Sequence, residues 1–249
     1  MIDLRSRAII LGRIIGTKLI VQGSLTDDDQ QIIDDCLEVQ GNWLRAVRDL
    51  ERTITPTKED VITLNVLKAQ HYCLYIITHR TVPAAHTGYD QLFPLFKVLL
   101  HHSKLAIDSM QQSRSSSPAA NFTFEMGLII GLYTTACRCR CPNTRREAIA
   151  LLERDLPREG LWDAQQHLVV AKRIIELEES ELDPITGWPS ERARIWSAQI
   201  HGDVDRDGKF QVWFAKGHWG EGRGSPPLPP QWVLDKFPRT EIWREWFVL

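Results

Sequence analysis

Three thiols fall within five residues at Cys137-Arg138-Cys139-Arg140-Cys141, and thiolates this close can hold a soft metal such as copper(I) or zinc. Helical geometry weighs against it. Cys137 and Cys141 would share a helix face while Cys139 pointed away, and a tetrahedral site would need distant ligands. The expected arrangement is a helix end in which the thiols pack as small apolar groups and Arg138 and Arg140 face carboxylates or carbonyls. Asp203-Val-Asp-Arg-Asp-Gly208 opens like a calcium loop, with carboxylates at its first, third and fifth positions and glycine at the sixth. Its twelfth position is Phe214, where the bidentate glutamate should stand, so a tight Asp-Gly turn is expected instead.

The closest histidine groupings, His71 with His79 and His101 with His102, lack metal-ligand spacing. His71 falls on the apolar face of a helix and reads as a core histidine, whereas His101 and His102 read as helix-surface residues. No Gly-rich loop opens a helix, and neither a Gly-x-Ser-x-Gly elbow nor a His-Glu-x-x-His helix occurs. The expectation is a protein that is not an enzyme, with no catalytic residue, no cofactor-binding residue and no metal ligand.

The elements that carry these residues are mostly helical. Leu4, Ala8, Leu11 and Ile15 keep a helical spacing, as do Ile33, Leu37, Leu44, Val47 and Leu50. Thr26, followed by Asp27, Asp28 and Asp29, caps a helix start with acidic residues where the macrodipole favours them. Pro56 breaks the pattern, and helix resumes through Val61, Leu64, Leu67, His71 and Leu74. Tyr89 to Met110 reads as a further helix, and Ser113 to Pro118 as a short connector. The most apolar stretch, Phe122 to Cys137, predicts a central helix. Thr144 with Glu147, and Asp163 with Gln166, read as capping pairs opening the next two helices. Arg145 and Arg146 are expected to form ion pairs with Glu153 or Glu159.

Beyond Leu182 the composition changes, and seven of nine tryptophans lie there. Arg194 to His201 and Lys209 to Lys216 predict two strands of a hairpin, Ser225 to Pro230 an extended proline-rich run. The ending Trp243-Arg-Glu-Trp-Phe247 is too apolar to stay in water and should pack back on the body. The expected architecture is therefore all-α, a multi-helix bundle or solenoid-like domain over 1–182, with a Trp/Pro-rich extension carrying a small β-hairpin over 183–249.

The 249 residues include 30 Lys plus Arg against 32 Asp plus Glu. A formal charge of −2 gives no general attraction to a phosphate backbone. A composition of 43% hydrophobic and 25% charged residues is that of a folded protein. No apolar run approaches the roughly 20 residues that span a bilayer, and no signal-peptide pattern opens the chain. Five cysteines, an odd number, fit reduced thiols in an intracellular compartment. In that setting the acceptor-like triplet Asn121-Phe-Thr123 is accidental.

An ordered series of segments resembles the regulatory region of fungal zinc-cluster transcription factors. Its centre runs through Phe124-Glu-Met-Gly-Leu-Ile129, Leu132-Tyr-Thr-Thr-Ala136, Arg138-Cys-Arg-Cys-Pro142, Arg145-Arg-Glu-Ala-Ile149, Arg158-Glu-Gly-Leu-Trp-Asp163, Val170-Ala171 and Glu178-Glu179. Trp43 to Leu50, Leu67 to Tyr75 and Tyr89 to Pro94 extend it upstream. The resemblance implies an all-helical regulatory domain, a nuclear location and control of transcription, commonly of secondary metabolism. Cys141 departs from the family's usual aspartate before proline. Six grouped cysteines of a binuclear zinc domain are not found, so direct DNA binding is not expected. Protein partners are expected, such as a zinc-cluster relative or the transcription machinery. A second reading is a small-molecule-sensing helical module whose apolar helix Phe124 to Cys137 lines a pocket for an effector.

Overall fold

The computed structural model describes residues 25–79, 86–114, 122–123, 127–201, 204–217 and 240–249. Among them are six α-helices: α1 (Asp27–Thr53), α2 (Lys58–His79), α3 (Phe93–Arg114), α4 (Ile129–Arg138), α5 (Pro142–Leu152) and α6 (Ala164–Glu179). Two short strands, β1 (Phe122–Thr123) and β2 (Arg158–Glu159), pair in parallel. Three longer ones, β3 (Ile195–His201), β4 (Lys209–Gly217) and β5 (Thr240–Val248), form an antiparallel sheet in that order. Leu4 to Ile15, most of Ser113 to Pro118 and the run Ser225 to Pro230 lie outside the described residues.

Local chemistry sets most of the helix ends. The Thr26 hydroxyl accepts from the Asp29 N–H at 3.2 Å while the Asp29 carboxylate accepts from the Thr26 N–H at 3.1 Å, a reciprocal cap on α1. Thr57 and Asp60 repeat it before α2. Asp163 caps α6 by accepting from the Gln166 N–H at 2.9 Å. Thr144 does not cap α5, contrary to expectation. Proline favours the first helical position, so Pro142 starts the helix earlier and leaves Thr144 buried in its first turn. The preceding helix ends at Arg138, where Cys139 turns extended at ψ 131°, and Cys141 is extended too at ψ 115°, as the residue before a proline favours.

The central helix is shorter than the apolar run that predicts it. α4 starts at Ile129, and Phe122–Thr123 pairs as a strand with Arg158–Glu159. The helix expected from Tyr89 begins as a 3-10 turn, His86–Leu92, and becomes α3 at Phe93. Ile129, Leu132 and Ala136 of α4 are fully buried in one cluster with side chains of α3, α5 and α6.

The fold departs from all-α at its C-terminal end. The expected hairpin is β3 and β4, and the terminal apolar segment joins it as a third strand, from Lys209 opposite Val248 to Gly217 opposite Thr240. Two-faced alternation explains the gain: Phe210, Val212 and Phe214 pack into the helical cluster, with Trp243 and Phe247 beside them. Arg173 of α6 grips Glu245 of β5 at 2.8 and 3.0 Å, fixing the sheet to the helices. In the β3–β4 turn, Asp205 accepts from the Asp207 and Lys209 N–H groups at 2.9 and 2.8 Å, and Gly208 takes φ +77°. No helix among the described residues is long and apolar enough to cross a membrane.

Candidate functional site

Several residues of the central motif series, among them Gly127, Glu159, Arg145 and Glu178, meet at the two ends of α4. The first N–H groups of a helix lack partners inside it and gather positive partial charge. Leu128 precedes α4 and offers no side-chain cap. Glu159 of β2 supplies it from a distance: its Oε1 accepts from the Leu128 N–H at 2.7 Å and its Oε2 from the Ile129 N–H at 2.9 Å. Gly127 permits this approach, because a Cβ there would stand 2.5 Å from Glu159 Oε1.

At the other end of α4, guanidinium groups meet the carbonyls that the helix cannot use itself. Arg145 Nε donates to Ala136 O at 2.8 Å, and Arg194 Nη2 donates to Cys137 O at 2.9 Å and Arg138 O at 3.0 Å. Both cations also share one carboxylate oxygen, Glu178 Oε2, each at 2.6 Å. Glu178 Oε1 accepts from the Ile195 N–H at 2.8 Å. The side chains of all three are 0% exposed. Burial pulls Arg194 down to about 10, which leaves it protonated at neutral pH.

The neighbouring arginines extend the joint. Arg138 donates to Ile195 O at 3.2 Å and Trp196 O at 2.9 Å, while Arg140 donates to Pro189 O at 2.8 Å and pairs with Asp90. Burial pushes the Asp90 carboxyl up against the downward pull of Arg140. Arg146 meets Glu179 at 2.5 and 3.0 Å on the surface. The expected partners Glu153 and Glu159 are therefore corrected: Arg145 pairs with Glu178 and Arg146 with Glu179, because α6 and not the α5–β2 turn faces these side chains. Helix ends, a helix start and a strand start are fastened here by charge-assisted bonds. The chemistry of the arrangement is positional.

A stretch of 80 residues, 32% of this chain, is 36% identical to the Aspercryptin biosynthesis cluster-specific transcription regulator of Emericella nidulans. The chain is similar to part of a fungal transcription regulator. The match covers 13% of that regulator's own length. No family model matches the chain, and no solved structure matches it.

The thiols of the Cys-Arg-Cys-Arg-Cys segment do not share one helix. Cys137 ends in the large core cluster and Cys139 in a second cluster around Phe96 and Leu99, while Cys141 lies beyond the helix. Burial pushes the Cys137 thiol up to about 11 and that of Cys139 to about 12. Among the described residues, no three His, Cys, Asp or Glu side chains are placed to hold a metal ion.

His71 is buried, its ring stacked on Trp43 at 5.4 Å with Tyr72 and Tyr75 close by. Burial, with Arg48 nearby, lowers it to about 4. His79 lies beside Tyr75, ring centroids 5.1 Å apart, whereas His71 stacks on Trp43. His102 is half-buried, stacks on Tyr72 at 5.9 Å and bonds Asn65 Oδ1 at 2.8 Å; burial lowers it to about 4. His101, exposed, touches it edge-on.

Two members of this joint escape sequence reasoning. Glu178 has no readable role until Arg194 arrives, and Arg194 lies outside the motif series. A charged residue on the apolar face of a predicted helix, as Glu178 is beside Ile174 and Ala171, is the one available signal that a buried partner exists.

Proposed function

We propose that this chain is a transcription-regulator-like module that works in the nucleus through protein contacts, without catalysis and without its own reader of DNA, in the control of secondary metabolism. The observation that carries the reading is the similarity to the Emericella nidulans regulator, taken with the ordered motif whose residues build a dedicated joint around α4. Charge-assisted bonds at both ends of one buried helix suit a scaffold that presents surfaces. A scaffold of this kind needs neither a nucleophile nor a metal.

Two measurements test it. A fluorescent fusion in a filamentous fungus is expected to accumulate in the nucleus, and the purified chain is expected to give no sequence-specific gel shift at physiological salt. Exclusion from the nucleus, or specific retardation of DNA by the chain alone, contradicts the reading.

A further inference from the structure

The C-terminal sheet has two faces, and the helices use one. Phe210, Val212 and Phe214 of β4 and Trp243 and Phe247 of β5 pack on the helical cluster, and Glu245 on the same side holds Arg173 of α6. Alternation sends the residues between them the other way. That outer face carries Lys209 and Trp213 of β4 with Ile242, Arg244, Trp246 and Val248 of β5; Arg244 stands opposite Trp213 in the register, and Val248 opposite Lys209. Trp246 and Val248 are 65% and 61% exposed. Lys209 and Arg244 are exposed with them, and Trp213 and Ile242 are half-buried. His201 of β3 adds its ring, 5.6 Å from that of Trp213.

The charge on this face has one sign. Its positions hold Lys209 and Arg244 and no aspartate or glutamate: β3 and β4 contain no acidic residue, and Glu241 and Glu245 of β5 fall on the helix-facing side of the alternation. Neither cation has an ion pair among the described residues. The acidic side chains nearest in sequence, Asp205 and Asp207, lie in the β3–β4 turn at the Lys209 end. Arg206 stands between them, and the Asp205 carboxylate is engaged by two N–H groups. A chain of net charge −2 thus presents a cationic surface bearing tryptophan. Large apolar groups gathered in the open on one face mark contact with another molecule, and tryptophan and arginine carry much of the binding energy of protein interfaces. A nucleic acid fits less well, since its affinity comes from many neutralised phosphates and this face offers two permanent cations.

We propose that the outer face of the β3–β4–β5 sheet, centred on Trp246 with Lys209 and Arg244 at its flanks, is a docking surface for an acidic protein segment that carries apolar side chains among its carboxylates. The apolar groups cover Trp246 and Val248, and the carboxylates meet Arg244 and Lys209. This inference stands on the sheet alone, so a failed binding measurement leaves the nuclear reading untouched, and the reverse.

Fluorescence polarisation on the full chain tests it. The probe is a short fluorescein-labelled peptide in which aspartate and glutamate are interspersed with leucine and phenylalanine; its control replaces every acid with lysine. The acidic peptide is expected to bind saturably at low salt and at least about tenfold more tightly than the lysine peptide. Trp246→Ser should weaken binding by about tenfold, the scale of a central interface anchor. Circular dichroism should be unchanged, because the side chain is exposed. Lys209→Glu with Arg244→Glu should reverse the preference, so that the lysine peptide binds this variant at least about tenfold more tightly than it binds the wild type. A merely destabilised sheet would lose one peptide without gaining the other. No saturable binding of the acidic peptide up to about 500 µM, a Kd corresponding to only about −4.5 kcal/mol, would overturn the proposal. So would equal affinity for the two peptides, indifference to Trp246→Ser, tighter binding of a short oligothymidylate than of the acidic peptide, or sedimentation showing that a second copy of the chain occupies this face.

Discussion

Glu178 and Arg194 form a fully buried ion pair at 2.6 Å, joining the last turn of α6 to the start of β3. The same carboxylate oxygen holds Arg145 of α5 at 2.6 Å, so one acidic side chain fastens two helices and the sheet around the C-terminal end of α4. Removing one member of a buried charged group costs more than forming the group gains, because the survivors remain desolvated.

Glu178→Ala strips two buried guanidinium groups of their carboxylate and should lower stability by about 3–5 kcal/mol. Glu179→Ala removes the surface partner of Arg146 and should cost about 1 kcal/mol or less. Urea denaturation followed by tryptophan fluorescence compares the two. Equal, small losses would mean that the joint contributes little.

Gly127→Ala drives a methyl group into Glu159 and displaces the carboxylate that caps α4. The expected loss is about 1–2 kcal/mol, the scale of a lost helix cap, and Glu159→Gln should produce part of it. If the two substitutions act through the same contact, the double variant falls short of the sum of the singles in denaturant unfolding.

Gly41 sits inside α1, and a Cβ built on it meets nothing within 4 Å. Gly41→Ala should therefore raise stability by about 0.5–1 kcal/mol through backbone entropy alone. Thermal unfolding reads the gain.

His71 and His102 are both held near 4 by burial, whereas an unfolded histidine titrates near 6.5. The unfolded chain thus binds more protons between those values, and stability falls as pH drops from about 6.5 to about 4. The slope is at most about 1.4 kcal/mol per pH unit for each histidine. Above pH 6.5 the contribution is fully present. Urea midpoints at pH 7 and pH 5 check the sign, and His71→Phe should flatten the dependence.

What could be read from sequence was what depends on neighbours in the chain. Thr26 with Asp29, Asp163 with Gln166, and the Asp205 to Gly208 turn each act over two to four residues, and the structure keeps them. Thr144 with Glu147 fits the same pattern yet fails, because Pro142 starts the helix first. The Glu178 and Arg194 pair, the Glu159 cap on α4 and the third strand each require segments far apart in sequence to meet. Their residues show only as charge within apolar surroundings, or as a terminal run too apolar for water. The Cys137 to Cys141 face fails for a local reason that was visible: a proline one residue on holds Cys141 extended, outside any helix.

The most direct measurement places the chain at a promoter through a heterologous DNA-binding domain and reads reporter expression. A module that works through protein contacts should change output at least threefold over the DNA-binding domain alone, and Glu178→Ala, by destabilising the scaffold, should weaken the change. Unaltered expression with the wild-type fusion present in the nucleus at matched abundance would contradict the account.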